Sequence, residues 1–438
     1  MPLKYPRPKG THDLYPGAAD WADDSHKRQT LEDRFRALCG LYGYGEIRTP
    51  VFEATELITR SVGEETDIVS KEMYTFETKG GDSLTLRPES TAPVLRAYVQ
   101  NSLYAQGGVS KLYYCASHFR YERPQKGRFR QHEQFGVEAL GTDDPALDAE
   151  VIELALAFFR AIGIRNLTLK LNSVGSPESR AEYLVALKVY VLPFLPEFSP
   201  EGQARYETNP LRLLDTKNPR ENEILADAPV LLDYLTDDER THHAALLGYL
   251  TDAGVPFVSD PFLVRGFDYY TKTAFEIQSP DLGAQNALGG GGRYNQLVEQ
   301  IGGPPTPGIG FGLGVERALI ALQALNIEMP PPTAPTAQVI TLGDAARPAG
   351  IKLLADLRAA GIAAETEYGA KSMKSQMRAA GRSGAGYAII IGEDEIASGV
   401  VQLKSLRDGW QHKVPLAEVV EWMDGDTTRL PPSSVPQS

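Results

Sequence analysis

Hydrophobic spacing divides the 438-residue chain into two parts that mix strands and helices differently. Val151, Ile152, Ala155, Phe158, Phe159 and Ile162 recur at helical spacing and predict one buried helix face. Asp144-Pro145 supplies an N-cap followed by a first-turn proline, and Gly163 supplies the stop. Upstream, Lys111-Leu-Tyr-Tyr-Cys-Ala-Ser-His-Phe-Arg-Tyr-Glu122 predicts a strand in which period two places His118, Arg120 and Glu122 on one face. Arg123-Pro-Gln-Lys-Gly-Arg128 predicts a basic turn. Arg130 to Glu138 then returns as a second strand, with Gln134, Gly136 and Glu138 on one face and Phe135, Val137 and Ala139 toward a core. From about 173 to 253 the pattern turns helical and charged, punctuated by Pro193, Pro196, Pro200 and Pro210, which predicts a helical insertion.

After a Pro-rich stretch at 329–336, which reads as a semi-rigid linker, strand and helix alternate again. Gln338-Val-Ile-Thr-Leu342 and Tyr387-Ala-Ile-Ile-Ile391 predict strands, and Ile351, Leu353, Leu354 and Leu357 mark a helix between them. The expected organisation is a large domain over 1–328, the linker, a small α/β domain over 337–422, and a disordered tail over 423–438.

Composition removes several classes. Hydrophobic residues at 42% and charged residues at 23% are ordinary globular usage, which excludes wholesale disorder. No apolar run approaches the ~18 residues of a bilayer span, so no membrane partner is expected. The first residues lack the apolar stretch of a secretory signal, and two cysteines cannot form a disulfide framework, so a reducing cytoplasm is expected. Net charge is −13, from 57 acids and 44 bases, which disfavours a general nucleic-acid binder but leaves room for a local basic patch. The segment from Thr336 to Trp422 is neutral, with ten bases and ten acids, and that supports a separate module.

The 111–138 hairpin carries the densest chemistry. Arg, Glu and Gln line one surface while apolar residues are buried beneath, and cross-strand ion pairs on a solvated face are the simplest alternative reading. Gly289 to Gly292 lacks the Lys-Ser/Thr ending of a phosphate loop, and Gly308-Ile-Gly-Phe-Gly-Leu-Gly314 lacks dinucleotide-fold spacing, so both runs read as close backbone approach. The histidines are not spaced as a metal site.

Together these segments resemble a known family. Phe119-Arg-Tyr-Glu122, the basic turn and Gln134 to Glu138 resemble motif 2 of class II aminoacyl-tRNA synthetases. Gly312-Leu-Gly-Val-Glu-Arg317 resembles motif 3, and Tyr42 to Pro50 resembles motif 1. Leu263-Val-Arg-Gly-Phe-Asp-Tyr-Tyr270 resembles the motif specific to histidyl-tRNA synthetases. The resemblance implies an α+β catalytic domain with a mainly antiparallel sheet, a helical insertion and a C-terminal α/β anticodon-binding domain. It also implies a homodimer, with ATP, Mg2+, L-histidine and tRNA(His) as partners.

The resemblance places Arg120 on the α-phosphate and the substrate carboxylate, Arg265 on the other side of the α-phosphate, and Arg317 on the terminal phosphate. Arginine suits the task, because a planar fork engages two anions being driven together. Glu122, Arg128, Phe129 and His132 complete the ATP set. His132 stands where the family commonly has phenylalanine over adenine, with Phe129 as the other candidate platform. Glu89, Thr91 and Gln134 are implied for the α-ammonium, Glu138 and Tyr270 for the imidazole with Tyr269 adjacent, and Tyr294 as a further pocket residue. Ser90 replaces a usual glycine, and Asn295 a usual aspartate.

For tRNA, the loop residues Arg123, Gln125 and Lys126 are implied near the acceptor end. Lys371, Lys374, Arg378 and Arg382 fall at i, i+3, i+7 and i+11, an arc of about 80° on one predicted helix face, with Met373, Met377 and Ala380 opposite. A solvated face is the alternative for that stripe. For the whole chain, the competing functions are a histidine-sensing regulatory subunit of ATP phosphoribosyltransferase and a stand-alone RNA-binding protein. The three arginines and the C-terminal module argue against the first, and the histidine pocket and net acidity against the second.

Overall fold

The computed structural model describes residues 5–63, 66, 68–125, 127–369 and 371–424. They form two compact units that meet in sequence at Met329 and Pro330.

The larger unit is built on an eight-stranded sheet in the order Gly45–Glu46, Ser110–Phe119, Gln131–Leu140, Gly308–Gly314, Ala287–Arg293, Thr271–Gln278, Thr168–Ser173, Val258–Ser259. The central pairings are antiparallel and only the two short edge strands pair in parallel. Alternation along 131–140 decides which side is core. Phe135, Val137 and Ala139 pack with Phe35 of the helix Ser25–Leu41 and with Val151, Ile152 and Phe158 of the helix Pro145–Ala161. Each buried aromatic or branched side chain there contributes about 1.5–3 kcal/mol. Asp144 caps the 145–161 helix by accepting the Ala146 N–H at 2.9 Å. The opposite sheet face keeps Gln134, Gly136 and Glu138 and is roofed in part by the helix Thr91–Gln100. A three-stranded sheet, Phe52–Ala54, Ser83–Leu86 and Tyr74–Glu77, stands beside it.

Between Ser173 and Ala253 the chain is helical, as Pro177–Val191, Pro200–Thr208, Pro219–Leu225 and Asp237–Asp252. The last of these does not stand apart: Leu246 and Leu250 enter the main core, and His242 bonds Asp148 at 2.6 Å. Asp148 is fully buried and also accepts Arg293 Nε at 2.9 Å, Arg293 Nη2 at 2.5 Å and Thr273 Oγ1 at 2.9 Å. Arg293 itself is 0% exposed and donates further to the carbonyl of Thr142. This cluster fastens the 237–252 helix beneath the strands 271–278 and 287–293.

The smaller unit has a five-stranded sheet ordered Ala364–Thr366, Ala337–Thr341, Tyr387–Ile391, Val400–Ser405, Gln411–Pro415, parallel on one side and antiparallel on the other. Three expectations are corrected here. The basic helix is Met373–Ser383, because the Ser372 hydroxyl caps it by accepting the Ser375 N–H, so Lys371 lies before the helix. Met373, expected to pack, is exposed in the first turn, whereas Gln376, Ala379 and Ala380 are buried. The module also continues past 422: Trp422 and Met423 are buried and end the helix Val419–Asp424, so the order extends into the segment expected as tail. Residues 425–438, the rest of that segment, and Lys126 lie outside the described residues.

Removing one member of a buried charge pair strands the other without solvent. Asp148→Ala is expected to cost about 3–5 kcal/mol of stability in the larger unit, read from denaturant midpoints. A loss below about 1 kcal/mol would show that Arg293 finds other partners.

Candidate active site

Two connected hollows lie on the polar face of the large sheet. The larger, about 320 Å³, is lined by Arg120, Glu122, Arg128, Phe129, His132 and Gln134 from the hairpin region, Arg265 and Glu276, and Arg317. The smaller, about 60 Å³, is lined by Glu89, Ser90 and Thr91, by Tyr114, and by Tyr269, Tyr270 and Tyr294. Arg120, Gln134, Arg265 and Gly312 line both. The structure therefore brings Arg120, Arg265 and Arg317, 197 residues apart at the extremes (317 − 120), to one cleft.

The floor of these hollows is glycine. A Cβ on Gly290 would lie 2.9 Å from Arg265 Cζ, one on Gly292 2.8 Å from the Tyr270 ring, and one on Gly312 2.9 Å from Gln134 Oε1. A Cβ on Gly310 would overlap the Glu138 carboxylate, and one on Gly136 the Tyr114 ring. Three neighbouring strands thus omit side chains so that functional ones can lie flat across them.

The arginines are anchored mainly by backbone. Arg120 Nε donates to the Pro88 carbonyl at 2.8 Å, and Arg317 Nη1 donates to the Ala287 carbonyl at 2.5 Å. Burial, followed by the Arg128 charge, pulls Arg317 below its usual pKa, a sign of unneutralised positive potential. Arg265 pairs with Glu276 at 2.8 Å, while its Nε is buried without a hydrogen-bond partner. Behind them Arg28 ties the helix Val315–Ala324 to the hairpin, donating to Glu316 at 2.8 Å and Glu133 at 2.6 Å.

Glu138, unlike the other residues expected around the imidazole, does not itself line the smaller hollow: it is buried behind two residues that do, accepting the Thr91 hydroxyl at 2.8 Å and the Tyr294 hydroxyl on its other oxygen. Burial pushes its pKa up to about 8, outweighing both hydroxyl bonds. Tyr269 and Tyr270 pack against each other with ring centroids 4.7 Å apart, but it is Thr91 and Tyr294 that hold Glu138. Glu89 accepts the backbone N–H of Thr91 at 2.5 Å and of Ala92 at 2.9 Å, so it caps the 91–100 helix. Each of its oxygens keeps a second acceptor site for a further donor.

His132 and Phe129 both line the larger hollow. Desolvation, then the Arg120 charge, drives the His132 pKa down to about 3, so it presents a neutral ring. Phe129 is backed by His12, with centroids 3.8 Å apart. Arg123 and Gln125 are exposed in the loop and line neither hollow. His118, expected on an open strand face with Arg120 and Glu122, is fully buried, and the strand ends at Phe119, one residue before Arg120. Tyr114, Phe267 and Glu276 also line the hollows without having been assigned from sequence. Tyr114 was signalled only by its cross-strand partner Gly136, and Phe267 only by its place between Arg265 and Tyr269.

Such an arrangement sets an arginine-lined cleft beside a small polar recess rich in tyrosine hydroxyls. The sequence model described as histidyl-tRNA synthetase matches residues 10–181 and 202–318, and that of an anticodon binding domain matches 336–425. The chain is 48% identical over 421 residues to a histidine–tRNA ligase of Desulforamulus reducens, covering 96% of this chain and 99% of that one. It is 50% identical over 416 residues to a histidine–tRNA ligase of Moorella thermoacetica, covering 95% and 97%. Apo Staphylococcus aureus histidyl-tRNA synthetase superimposes with a TM-score of 0.81 at 37% identity, covering 96% of this chain and 100% of that one.

The raised Glu138 pKa has a thermodynamic consequence. Below about 4.5, its ordinary value, the folded and unfolded chains both hold the proton; as pH rises to about 8 only the folded chain keeps it, so stability falls across that window. Relative to Glu138→Gln, which cannot ionise, the wild-type melting temperature should therefore drop between about pH 5 and 8. A difference that stays flat with pH would contradict the shift.

Proposed function

The chain belongs to the histidyl-tRNA synthetase family, and from that premise we propose how its residues carry the histidine–tRNA ligase reaction. The enzyme activates L-histidine with ATP and then transfers histidine to the 3′ end of tRNA(His). In the first step a histidine carboxylate oxygen attacks the α-phosphorus, the bond to the bridging oxygen breaks, and pyrophosphate leaves. In the second a terminal ribose hydroxyl attacks the adenylate carbonyl and AMP leaves. Both reactants of the first step are anions, so fixed positive groups must offset their approach and the growing charge of the transition state.

The observation that carries the assignment of roles is that Arg120 and Arg265 line both hollows while Arg317 lines only the larger. On this reading Arg120 and Arg265 act where carboxylate and α-phosphate meet, and Arg317 and Arg128 take the far phosphates. His132 and Phe129 offer faces to adenine. Glu89, Thr91 and Gln134 receive the α-ammonium, and Glu138 with Tyr269, Tyr270 and Tyr294 selects the imidazole. A polar pocket of this kind rejects side chains that leave its groups unpaired, by factors of about 10⁴ or more.

Among the described residues no three His, Cys, Asp or Glu side chains group to hold a metal. The carboxylates Glu122 and Glu276 line the larger hollow. These two carboxylates would hold an Mg2+ ion brought in with the nucleotide, as hard oxygen donors suit it. When bound it neutralises phosphate charge.

We further propose a homodimer formed around the 42–50 segment. Leu41 is 83% exposed, and exposed Phe52 packs edge-on against exposed Phe76, an apolar surface that a second copy would cover. Two free cysteines fit a reducing cytoplasm, and no described helix is long and apolar enough to cross a membrane. Lys374, Arg378 and Arg382 stand exposed on the 373–383 helix as phosphate contacts for the tRNA, with Lys371 just before it, and Arg123 and Gln125 serve the acceptor end. The regulatory-subunit alternative leaves the shared arginine cleft and the anticodon-domain match unexplained.

Histidine-dependent ATP–pyrophosphate exchange followed by charging of tRNA(His) tests the assignment. Arg265→Ala is expected to lower exchange kcat by a factor of 10² or more, by order of magnitude, while changing histidine Kd only a fewfold; equal losses would remove Arg265 from the transition state. Lys374→Glu with Arg378→Glu should raise the KM for tRNA and leave exchange intact, and unchanged charging kinetics would clear that helix of tRNA contact.

A further inference from the structure

A serine at a helix N-cap ordinarily turns its hydroxyl back to accept a backbone N–H of the first turn. Ser90 occupies the N-cap of the 91–100 helix and makes no such bond. Glu89 has taken the Thr91 and Ala92 N–H groups instead. The freed Ser90 hydroxyl points to the end of the 110–119 strand, where it meets His118 Nε2 at 2.7 Å, both residues being buried. His118 is in turn the direct cross-strand partner of His132, with ring centroids 5.7 Å apart and planes at 67°. Its second nitrogen, Nδ1, is buried without a hydrogen bond of full geometry, and the Gln134 side chain is a hydrogen-bonding group that acts on the ring. A fully buried imidazole must be held by polar partners that an apolar residue would not need. It lies between three groups that line the hollows: Ser90 in the smaller, His132 in the larger and Gln134 in both.

We propose that His118 is a positioning residue that couples the 89–91 loop to Gln134 and His132, so that the histidine recess and the nucleotide cleft are set together. Ser90 lies between Glu89 and Thr91, and fixing its hydroxyl fixes where both present their donors and acceptors. The Gln134 side chain, which acts on the His118 ring and lines both hollows, is oriented from that side, and the His118 ring, packed at 67° across the His132 ring, fixes how His132 faces the cleft. This inference rests on the reading of the two hollows given above.

The test is ATP–pyrophosphate exchange by the full chain, with KM for histidine, KM for ATP and kcat measured for wild type, Ser90→Ala, His118→Leu and the double variant. Loss of one hydrogen bond is worth about fivefold, so Ser90→Ala should raise the histidine KM about fivefold and also raise the ATP KM, with kcat little changed. In the His118→Leu background the same substitution should change neither KM. His118→Gln, whose amide nitrogen replaces Nε2, should keep the Ser90→Ala effect, whereas the shorter amide of His118→Asn should lose it; this pair decides the matter if His118→Leu does not fold. An equal Ser90→Ala effect in every background, or an effect confined to the histidine KM, overturns the coupling. Absence of exchange in the wild type would instead overturn the underlying assignment.

Discussion

The site depends on the bare backbone of three adjacent strands. Arg265, Tyr270, Glu138 and Gln134 lie so close above Gly290, Gly292, Gly310 and Gly312 that a methyl group at any of these positions would displace them. A sheet normally stabilises itself through cross-strand side-chain pairs, and this one gives them up along its working face. The opposite face compensates with aromatic packing around Phe35, Phe135, Phe158 and Phe311. The buried Asp148 and Arg293 hold strand 287–293 in register at the point where its glycines end. Rigidity is thus supplied from beneath, which leaves the upper surface free for chemistry.

Anchoring the arginines on carbonyl oxygens has an electrostatic purpose. A guanidinium held by a carboxylate is neutralised before its substrate arrives, whereas one held by Pro88 or Ala287 carbonyls keeps its charge and still has a fixed direction. Arg265, the exception, carries Glu276, and that carboxylate lines the larger hollow itself. In a chain of net charge −13, local placement of bases outweighs the total.

Much of this was legible in the sequence. Period two along 131–140 separates core from site because one face of that strand is buried and the other is not. The segments around Arg120, Arg265 and Arg317 carry enough specific residues to be expected together, and the structure brings them to one cleft. What escaped lies in long-range partnerships and in where elements end. Lys371 extends the helical period perfectly, yet a cap at Ser372 starts the helix after it. His118 sits on the predicted face, but Ser90, 28 residues earlier, covers it. Arg293 looks like the end of a glycine run, and its partners at 142, 148 and 295 include none that a local pattern could have assigned beforehand.

The opposite pKa shifts of Glu138 and His132 have one origin, desolvation, which raises a carboxyl and lowers an imidazole. Both shifts favour the neutral form, His132 in the larger hollow and Glu138 behind the lining of the smaller. The fixed positive charge is concentrated at Arg120, Arg265, Arg128 and Arg317. On the proposed reading, a histidine entering the recess meets neutral groups around its ring and finds positive charge at the boundary lined by Arg120, which no carboxylate holds, and by Arg265, which Glu276 partly offsets. The amino acid is then oriented by that asymmetry, carboxylate toward the nucleotide and imidazole away from it, before any contact specific to the reaction is made.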